Sequence, residues 1–289
     1  HQVRGEYPQA IGDLRQMLRY IPADASLNYR LGLVYAAVEP ESGLAYLAQA
    51  AELDPSLADS ALELQRKIRT ATLFEEPAYT FTAAGRALAT LNEWDLAEAA
   101  FLQATRLRPD YAEAWAFLGE ARQHSANSSG RKYPGLPDLQ LALKLDASSV
   151  SANLLMGLYW SRQGDYMLAN QYITTTLTLD PGNPLLHAEL ANTLALQGNL
   201  PAAQAAYQQA ISLAPDDPFF YRLLAEFSLS HRIQIREIAL PAARTAVILS
   251  PQDPHSLDIL AQALIFLEDN LSAERFLLQA LASDPLYAP

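Results

Sequence analysis

The chain has 289 residues, carries a formal net charge of −12, and half of its residues are hydrophobic. This length exceeds the ~100–200 residues of a typical domain, so it predicts either two domains or one elongated array. The acidic balance argues against a nucleic-acid surface, because contacts to phosphates require a basic stripe. Cysteine is absent, which excludes disulfides, zinc–thiolate sites and thiol nucleophiles.

The sequence also bears on the compartment of the protein. No run of about 18 apolar residues is present, and we therefore expect no insertion into a membrane. The sequence begins at His1 rather than at a methionine, which indicates a processed chain or a fragment. An extracellular or periplasmic location is favoured over a cytoplasmic one, because a chain without cysteine suits an oxidising exterior.

A stripe of small residues with helical spacing recurs along the chain. Ala97, Phe101 and Ala104 lie four and three residues apart, which places them on one face of an α-helix. The alanines allow a second helix to approach closely, and the larger residue fills the gap between them. The same spacing recurs at Ala203, Tyr207 and Ala210, and at Ala273, Leu277 and Ala280.

A second helical stripe precedes each of these stripes, and a short turn separates the two. In the preceding stripe a leucine is followed by a glycine, as at Leu31-Gly32 and Leu118-Gly119. Gly164 and Gly198 stand in two of the turns, where a residue with positive φ ends a helix. An N-cap acceptor followed by proline predicts the start of the next helix at Asn183-Pro184, Asp217-Pro218 and Asp253-Pro254.

The two stripes form one repeat that is punctuated by proline. Pro181, Pro215, Pro251 and Pro285 lie 34, 36 and 34 residues apart. The pattern resembles the tetratricopeptide repeat (TPR), most fully at Trp115…Leu118-Gly119. The resemblance implies an all-α fold, a right-handed α-solenoid superhelix of TPR helix-turn-helix repeats.

The resemblance covers nearly the whole chain and implies a single TPR array over residues 1–289. A partial repeat at 1–23 lacks its first helix, and an extra helix is predicted at about 57–76, where the spacing between prolines is too long for one repeat. The complete repeats are predicted at about 24–57, 78–111, 112–149, 150–183, 184–217, 218–253 and 254–287.

Residues capable of catalysis are sparse. The five histidines are scattered without an i, i+4 partner suited to a metal, and no phosphate-binding loop or nucleophile elbow appears. We therefore expect no enzymatic activity, no cofactor and no metal. Two glycosylation sequons begin at Asn127 and Asn270, both at predicted inter-helix turns, although a chain of this length contains a sequon or two by chance.

The resemblance also implies where a protein or peptide partner binds. In the family, the concave groove is lined by first-helix residues outside the packing signature, although neighbouring helices can bury some of them. Lysine is absent from these positions, which disfavours recognition of chaperone tails. The predicted groove residues are Tyr79, Arg86, Glu120, Leu154, Leu158, Leu185, Asn192, Phe219, Arg222 and Glu226.

The ends of the chain support an alternative function. Neither end carries the polar capping helix that normally closes a solenoid. Copies of the chain that stack head to tail would form an open assembly, such as an extracellular filament, instead of binding a separate partner. The residues predicted to make such contacts are Ile11, Leu14, Phe276, Leu278 and Leu281.

Overall fold

The computed structural model describes residues 7–125, 134–284 and 287. These residues form an all-α fold with no β-strand. In chain order the helices are α1 (Tyr7–Tyr20), α2 (Ala25–Val38), α3 (Leu44–Leu53), α4 (Pro55–Thr72), α5 (Pro77–Thr90), α6 (Trp94–Leu107), α7 (Ala112–His124), α8 (Leu136–Leu145), α9 (Val150–Arg162), α10 (Tyr166–Leu179), α11 (Pro184–Leu196), α12 (Leu200–Leu213), α13 (Pro218–Ser230), α14 (Leu240–Leu249), α15 (Pro254–Phe266) and α16 (Asn270–Ser283).

The chain divides into two compact units, His1–Tyr159 and Trp160–Pro289, and the division falls within α9. In unit 1, the helices pack as the successive pairs α2/α3, α5/α6 and α7/α8, with α1 against α2 and α4 between α3 and α5. Its core is formed by buried apolar side chains of α2 to α7, among them Leu33, Leu47, Leu88, Phe101 and Leu118. This is the architecture of an α-solenoid.

Glycine sets the close approach of helices within the pairs of unit 1. A Cβ atom added to Gly85 on α5 would lie 2.6 Å from the ring of Phe101 on α6, and one added to Gly32 on α2 would lie 2.7 Å from Leu47 on α3. Both distances are shorter than a carbon–carbon contact. Gly32 follows Leu31 and Gly85 follows Ala84, so the close helix packing predicted for a glycine at this position of the stripe is what the structure shows at both sites.

The extra helix α4 runs from Pro55 to Thr72, two residues ahead of its predicted start and four short of its predicted end. It begins early because the Asp54 carboxylate accepts a hydrogen bond from Ser56 N at 2.9 Å, and proline suits the first helical position. Ala61, Leu64 and Ile68 lie on its buried face and join the core of unit 1.

Unit 2 contains the pairs α11/α12, α13/α14 and α15/α16. The predicted N-caps are present: the Asp217 carboxylate accepts from Phe219 N at 2.9 Å, and the Asp253 carboxylate accepts from Ser256 N at 3.0 Å. Gly198 has the predicted positive φ of 86°. The core is built from residues of successive pairs, including Ala203, Tyr207, Leu224, Phe227 and Leu260.

The pair α13/α14 contains two more residues than its neighbours. The connection includes Gln234 at a φ of 45° and a π-helical turn at Ile235–Ala239, which leads directly into α14. A π-turn holds more residues per turn than an α-helix. Part of the insertion is therefore taken up by helical backbone, whereas the sequence predicts only a longer turn.

No helix in the described part of the chain is both long and apolar enough to cross a bilayer.

Of the two glycosylation sequons, the one at Asn127 lies outside the described residues. Asn270 is the first residue of α16, follows the capping residue Asp269 and is exposed to solvent. Its use for glycosylation stays a prediction.

Candidate functional site

In unit 1, the first helices α5 and α7 border an open pocket of about 380 Å³, which we call the unit 1 pocket. Phe117 on α7 stacks on Phe101 of α6 with the ring centroids 5.6 Å apart, and Trp94 of α6 completes the aromatic floor. Among the residues that the structure describes, the lining is formed by Arg86, Ala89, Thr90, Trp94, Phe101, Phe117 and Glu120. The floor is thus apolar, while the rim is charged.

The rim of the unit 1 pocket carries charges of both signs. The Arg86 guanidinium lies 3.5 Å from the carboxylate of Glu113 and 4.9 Å from the ring centroid of Phe117. On the other side, the Glu120 carboxylate lies 3.2 Å from Nε2 of His124, whose ring stacks on Trp94. A cation over the face of an aromatic ring is held favourably and still presents hydrogen-bond donors to solvent.

Unit 2 contains a second pocket of about 440 Å³, the unit 2 pocket, between the first helices α11 and α13. Leu223 and Phe227 of α13 line one side, and the ring of Tyr207 from α12 lies 5.3 Å from that of Phe227. The described residues that line it are Ser161, Glu189, Asn192, Ala195, Leu196, Tyr207, Leu223, Glu226, Phe227, Ser230 and His231. The lining therefore combines apolar and hydrogen-bonding groups.

Two carboxylates, those of Glu189 and Glu226, are among the polar groups of the unit 2 pocket. The Tyr207 hydroxyl donates a hydrogen bond to Oδ1 of Asn192. Burial raises the pKa of Tyr207, and the nearby carboxylates of Glu189 and Glu226 raise it further, so the phenol stays protonated. The pKa of Glu226 is itself raised, mainly by desolvation.

Four of the predicted groove residues line the two pockets. Arg86 and Glu120 form the rim of the unit 1 pocket, and Asn192 and Glu226 belong to the unit 2 pocket. The first-helix positions taken from the TPR resemblance thus identify part of each lining. Whether these residues contact a partner stays a prediction.

The other six predicted groove residues lie outside both pockets. Tyr79 on α5 packs edge-on against Phe74, at 5.0 Å between ring centroids. Arg222 on α13 donates a hydrogen bond to the Asp253 carboxylate and lies 5.8 Å from the ring centroid of Phe219, so its charge is engaged within the protein. Leu185 is exposed near the start of α11, whereas two leucines of α9, Leu154 and Leu158, are half-buried.

The apolar floors of the pockets are absent from the predicted set. Trp94, Phe101 and Tyr207 belong to second helices, where the repeat pattern assigns large residues to packing between helices. In the structure these residues also border the pockets, although Phe101 and Tyr207 are almost fully buried. Glu189 is a first-helix residue whose position the prediction did not include.

The five residues predicted to make end-to-end contacts differ in exposure. Ile11 and Leu14 of α1 pack against the core of unit 1, and Phe276 of α16 packs against the core of unit 2. Leu278 and Leu281 remain exposed on α16, by 59% and 45%. Stacking of copies through these residues stays a prediction, and only the last two present an apolar surface to solvent.

The fold consists of successive helix pairs, and this arrangement is that of a helical-repeat protein. Two models of the tetratricopeptide repeat match the chain, one over residues 82–124 and the other over residues 162–227. The chain thus contains tetratricopeptide repeats in both of these segments. TPR proteins as a class are scaffolds for protein interactions. No curated protein sequence matches this chain.

Solved structures share the fold at low sequence identity. PilW, a widely conserved type IV pilus biogenesis factor, matches with a TM-score of 0.60 and 17% identity over 73% of this chain and 94% of its own. PilF of Pseudomonas aeruginosa matches with a TM-score of 0.55 and 19% identity over 74% and 94%. The APC/C hetero-tetramer Cut9–Hcn1 matches with a TM-score of 0.59 and 19% identity over 89% of this chain.

In the Cut9–Hcn1 structure, the chain described here spans only 53% of the matched chain. Identities this low show a common fold and carry no information on partners.

Among the described residues, no cluster of three or more histidine, aspartate or glutamate side chains is arranged to hold a metal ion.

Proposed function

We propose that this chain is a non-catalytic scaffold that binds a protein or peptide partner through its first-helix pockets. The observation that carries the proposal is the composition of the unit 1 pocket, where Trp94, Phe101 and Phe117 leave an open apolar floor beside the charges of Arg86 and Glu120. A concave apolar surface with a few fixed polar groups is the usual form of a binding site. Neither nucleic acid nor a cofactor belongs to the proposal.

The helical backbone restricts how a partner can bind. Backbone N–H and C=O groups inside a helix are bonded within that helix, so a partner does not add a strand and is recognised by side chains. The volume of the unit 1 pocket, about 380 Å³, suits one or two apolar side chains of an extended segment or a helix. Arg86 and Glu120 then fix its orientation at the rim.

Phe117→Ala tests this pocket, because the substitution removes one of the aromatic rings of its floor. Loss of an aromatic anchor typically costs about 2 kcal/mol or more, which corresponds to about 30-fold in affinity. We expect the wild-type chain to select peptides from a phage-displayed library of random 12-residue sequences. Peptides that bind unit 1 should lose about that factor against Phe117→Ala in isothermal titration.

The matched control is Phe266→Ala, which removes an exposed aromatic ring that lines neither pocket. It should leave the affinities unchanged, and both variants should retain the helicity of the wild type. The proposal fails if selection recovers no more peptides than an unrelated helical protein does. It also fails if every selected peptide binds Phe117→Ala as tightly as the wild type.

A second candidate function is head-to-tail self-assembly, as in a filament. The observation that favours it is an exposed apolar stripe on α16, formed by Leu271, Leu278 and Leu281 at exposures of 80%, 59% and 45%. Positions seven and ten residues after the first lie on the same helix face, and such a stripe on a soluble helix commonly contacts another element.

The double variant Leu278→Glu, Leu281→Glu tests the assembly. We expect the wild type to sediment as a concentration-dependent series of oligomers and the variant to sediment as a monomer, because two buried carboxylates would oppose the contact. Ile248→Glu, on an exposed apolar residue of α14, is the control and should assemble like the wild type. A wild-type chain that stays monomeric at the highest accessible concentration would rule out this function.

A further inference from the structure

The two first-helix pockets differ in the sign of their charge. The unit 1 pocket balances Glu120 with Arg86. The unit 2 pocket is lined by Glu189 and Glu226, and no lysine or arginine is among its described lining residues. The two carboxylates come from the neighbouring first helices α11 and α13, so they approach the same cavity from different helices.

Arg222 and His255 compensate the charge of Glu226 from a distance, without direct contact. Within the described part of the chain it forms no hydrogen bond and no ion pair, and it is exposed at the pocket. Arg222, one turn earlier on α13, is directed to the Asp253 carboxylate. The partial desolvation that raises the pKa of Glu226 shows that its charge is less well solvated than in bulk water.

The remaining surface of the unit 2 pocket suits an aliphatic chain that ends in a cation. Leu223 and Phe227 provide an apolar wall along α13. The hydroxyl of Tyr207 donates its hydrogen bond to Asn192. The lone pairs of its oxygen can therefore accept a hydrogen bond from a ligand. Lysine and arginine combine a methylene stem with a charged head and bind in this way.

We propose that the unit 2 pocket binds a lysine or arginine side chain of the protein partner, with its stem on Leu223 and Phe227 and its cationic head between Glu189 and Glu226. This inference rests on the proposed function and names the chemistry of the partner. The charge complementarity extends beyond the pocket, because the net charge of −12 attracts a basic segment at long range.

Five synthetic peptide libraries test the inference directly on the full chain. Each contains nine-residue peptides with randomised flanks and a fixed central residue, which is lysine, arginine, glutamine, norleucine or glutamate. The wild type should retain the lysine and arginine libraries about tenfold more strongly than the glutamine library, since hydrogen bonds to charged groups are worth about that factor. The preference should decrease as the ionic strength is raised.

Glu226→Gln removes one carboxylate and keeps the shape of the side chain. We expect it to reduce retention of the lysine library about tenfold and to leave retention of the glutamine library unchanged. Glu189→Gln should act in the same direction. Glu274→Gln, at an exposed carboxylate of α16 outside the pocket, is the matched control and should behave like the wild type.

Failure of this inference can be distinguished from failure of the proposed function. Equal retention of all five libraries by the wild type, or an unchanged lysine preference in Glu226→Gln, overturns the basic-side-chain inference and leaves peptide binding intact. Retention of none of the libraries, combined with an empty phage selection, overturns both. A tenfold preference that is lost in Glu226→Gln but kept in Glu274→Gln supports the inference.

Discussion

Gly135→Ala should lower the free energy of unfolding by about 2–5 kcal/mol, because two separate costs add. Gly135 precedes α8 and has a φ of +82°, a conformation that costs an L-residue about 1–2 kcal/mol. A Cβ atom at this position would also lie 1.9 Å from the carbonyl oxygen of Gly119 on α7. A backbone oxygen cannot rotate away as a side chain can, so α7 and α8 must separate.

Gly164→Ala is the matched control, because Gly164 has nearly the same φ, +80°, and no atom lies within 4 Å of its Cβ position. The free energy of unfolding of this variant should fall only by the cost of the backbone conformation, about 1–2 kcal/mol. Urea denaturation followed by far-UV circular dichroism measures both variants. Equal losses in the two variants would show that the contact between Gly135 and Gly119 does not limit the packing of α7 on α8.

Much of the fold is predictable because it depends on interactions that are local in sequence. Asp217 and Asp253 reach backbone N–H groups two and three residues ahead, so a short pattern determines where α13 and α15 begin. The packing of Gly85 against Phe101 involves residues 16 positions apart, within one repeat. The residues that make both kinds of contact recur along the sequence at the spacing of the repeat.

Features without periodicity are less predictable. The start of α4 at Pro55 depends on one capping bond that converts an expected turn into helix. The π-turn at Ile235–Ala239 depends on how a two-residue insertion is divided between turn and helix, which side-chain types do not determine. The division of the chain within α9 has no counterpart in the composition of the sequence.

The candidate site is predictable only in part, because its pockets combine residues with different roles in the repeat. First-helix positions identify Arg86, Asn192 and Glu226 by register alone. The floor depends on rings such as Phe101 and Tyr207, which pack between helices with one face and border a pocket with another. A linear pattern assigns one role to each residue and therefore misses the second.

Arg122→Leu should destabilise unit 1 by about 3–5 kcal/mol, because it leaves two buried carboxylates without their cation. The guanidinium contacts both carboxylate oxygens of Asp138 on α8 at 2.6 and 2.7 Å, and its Nε donates to Glu98 on α6 at 3.2 Å. The side chains of Asp138 and Glu98 are only 7% and 14% exposed. The group thus joins three helices and is not evident in the sequence.

Arg66→Leu is the matched control, since Arg66 forms an ion pair at 2.6 Å with Glu63 on the exposed face of α4. Leucine and arginine have similar helix propensities, and exposed pairs of this kind contribute about 0–1 kcal/mol. Adding Asp138→Asn to Arg122→Leu should restore part of the lost stability, because the buried charge of Asp138 is then removed. Urea denaturation measures all three variants, and a loss for Arg122→Leu no larger than that for Arg66→Leu would contradict a structural role of the Arg122 network.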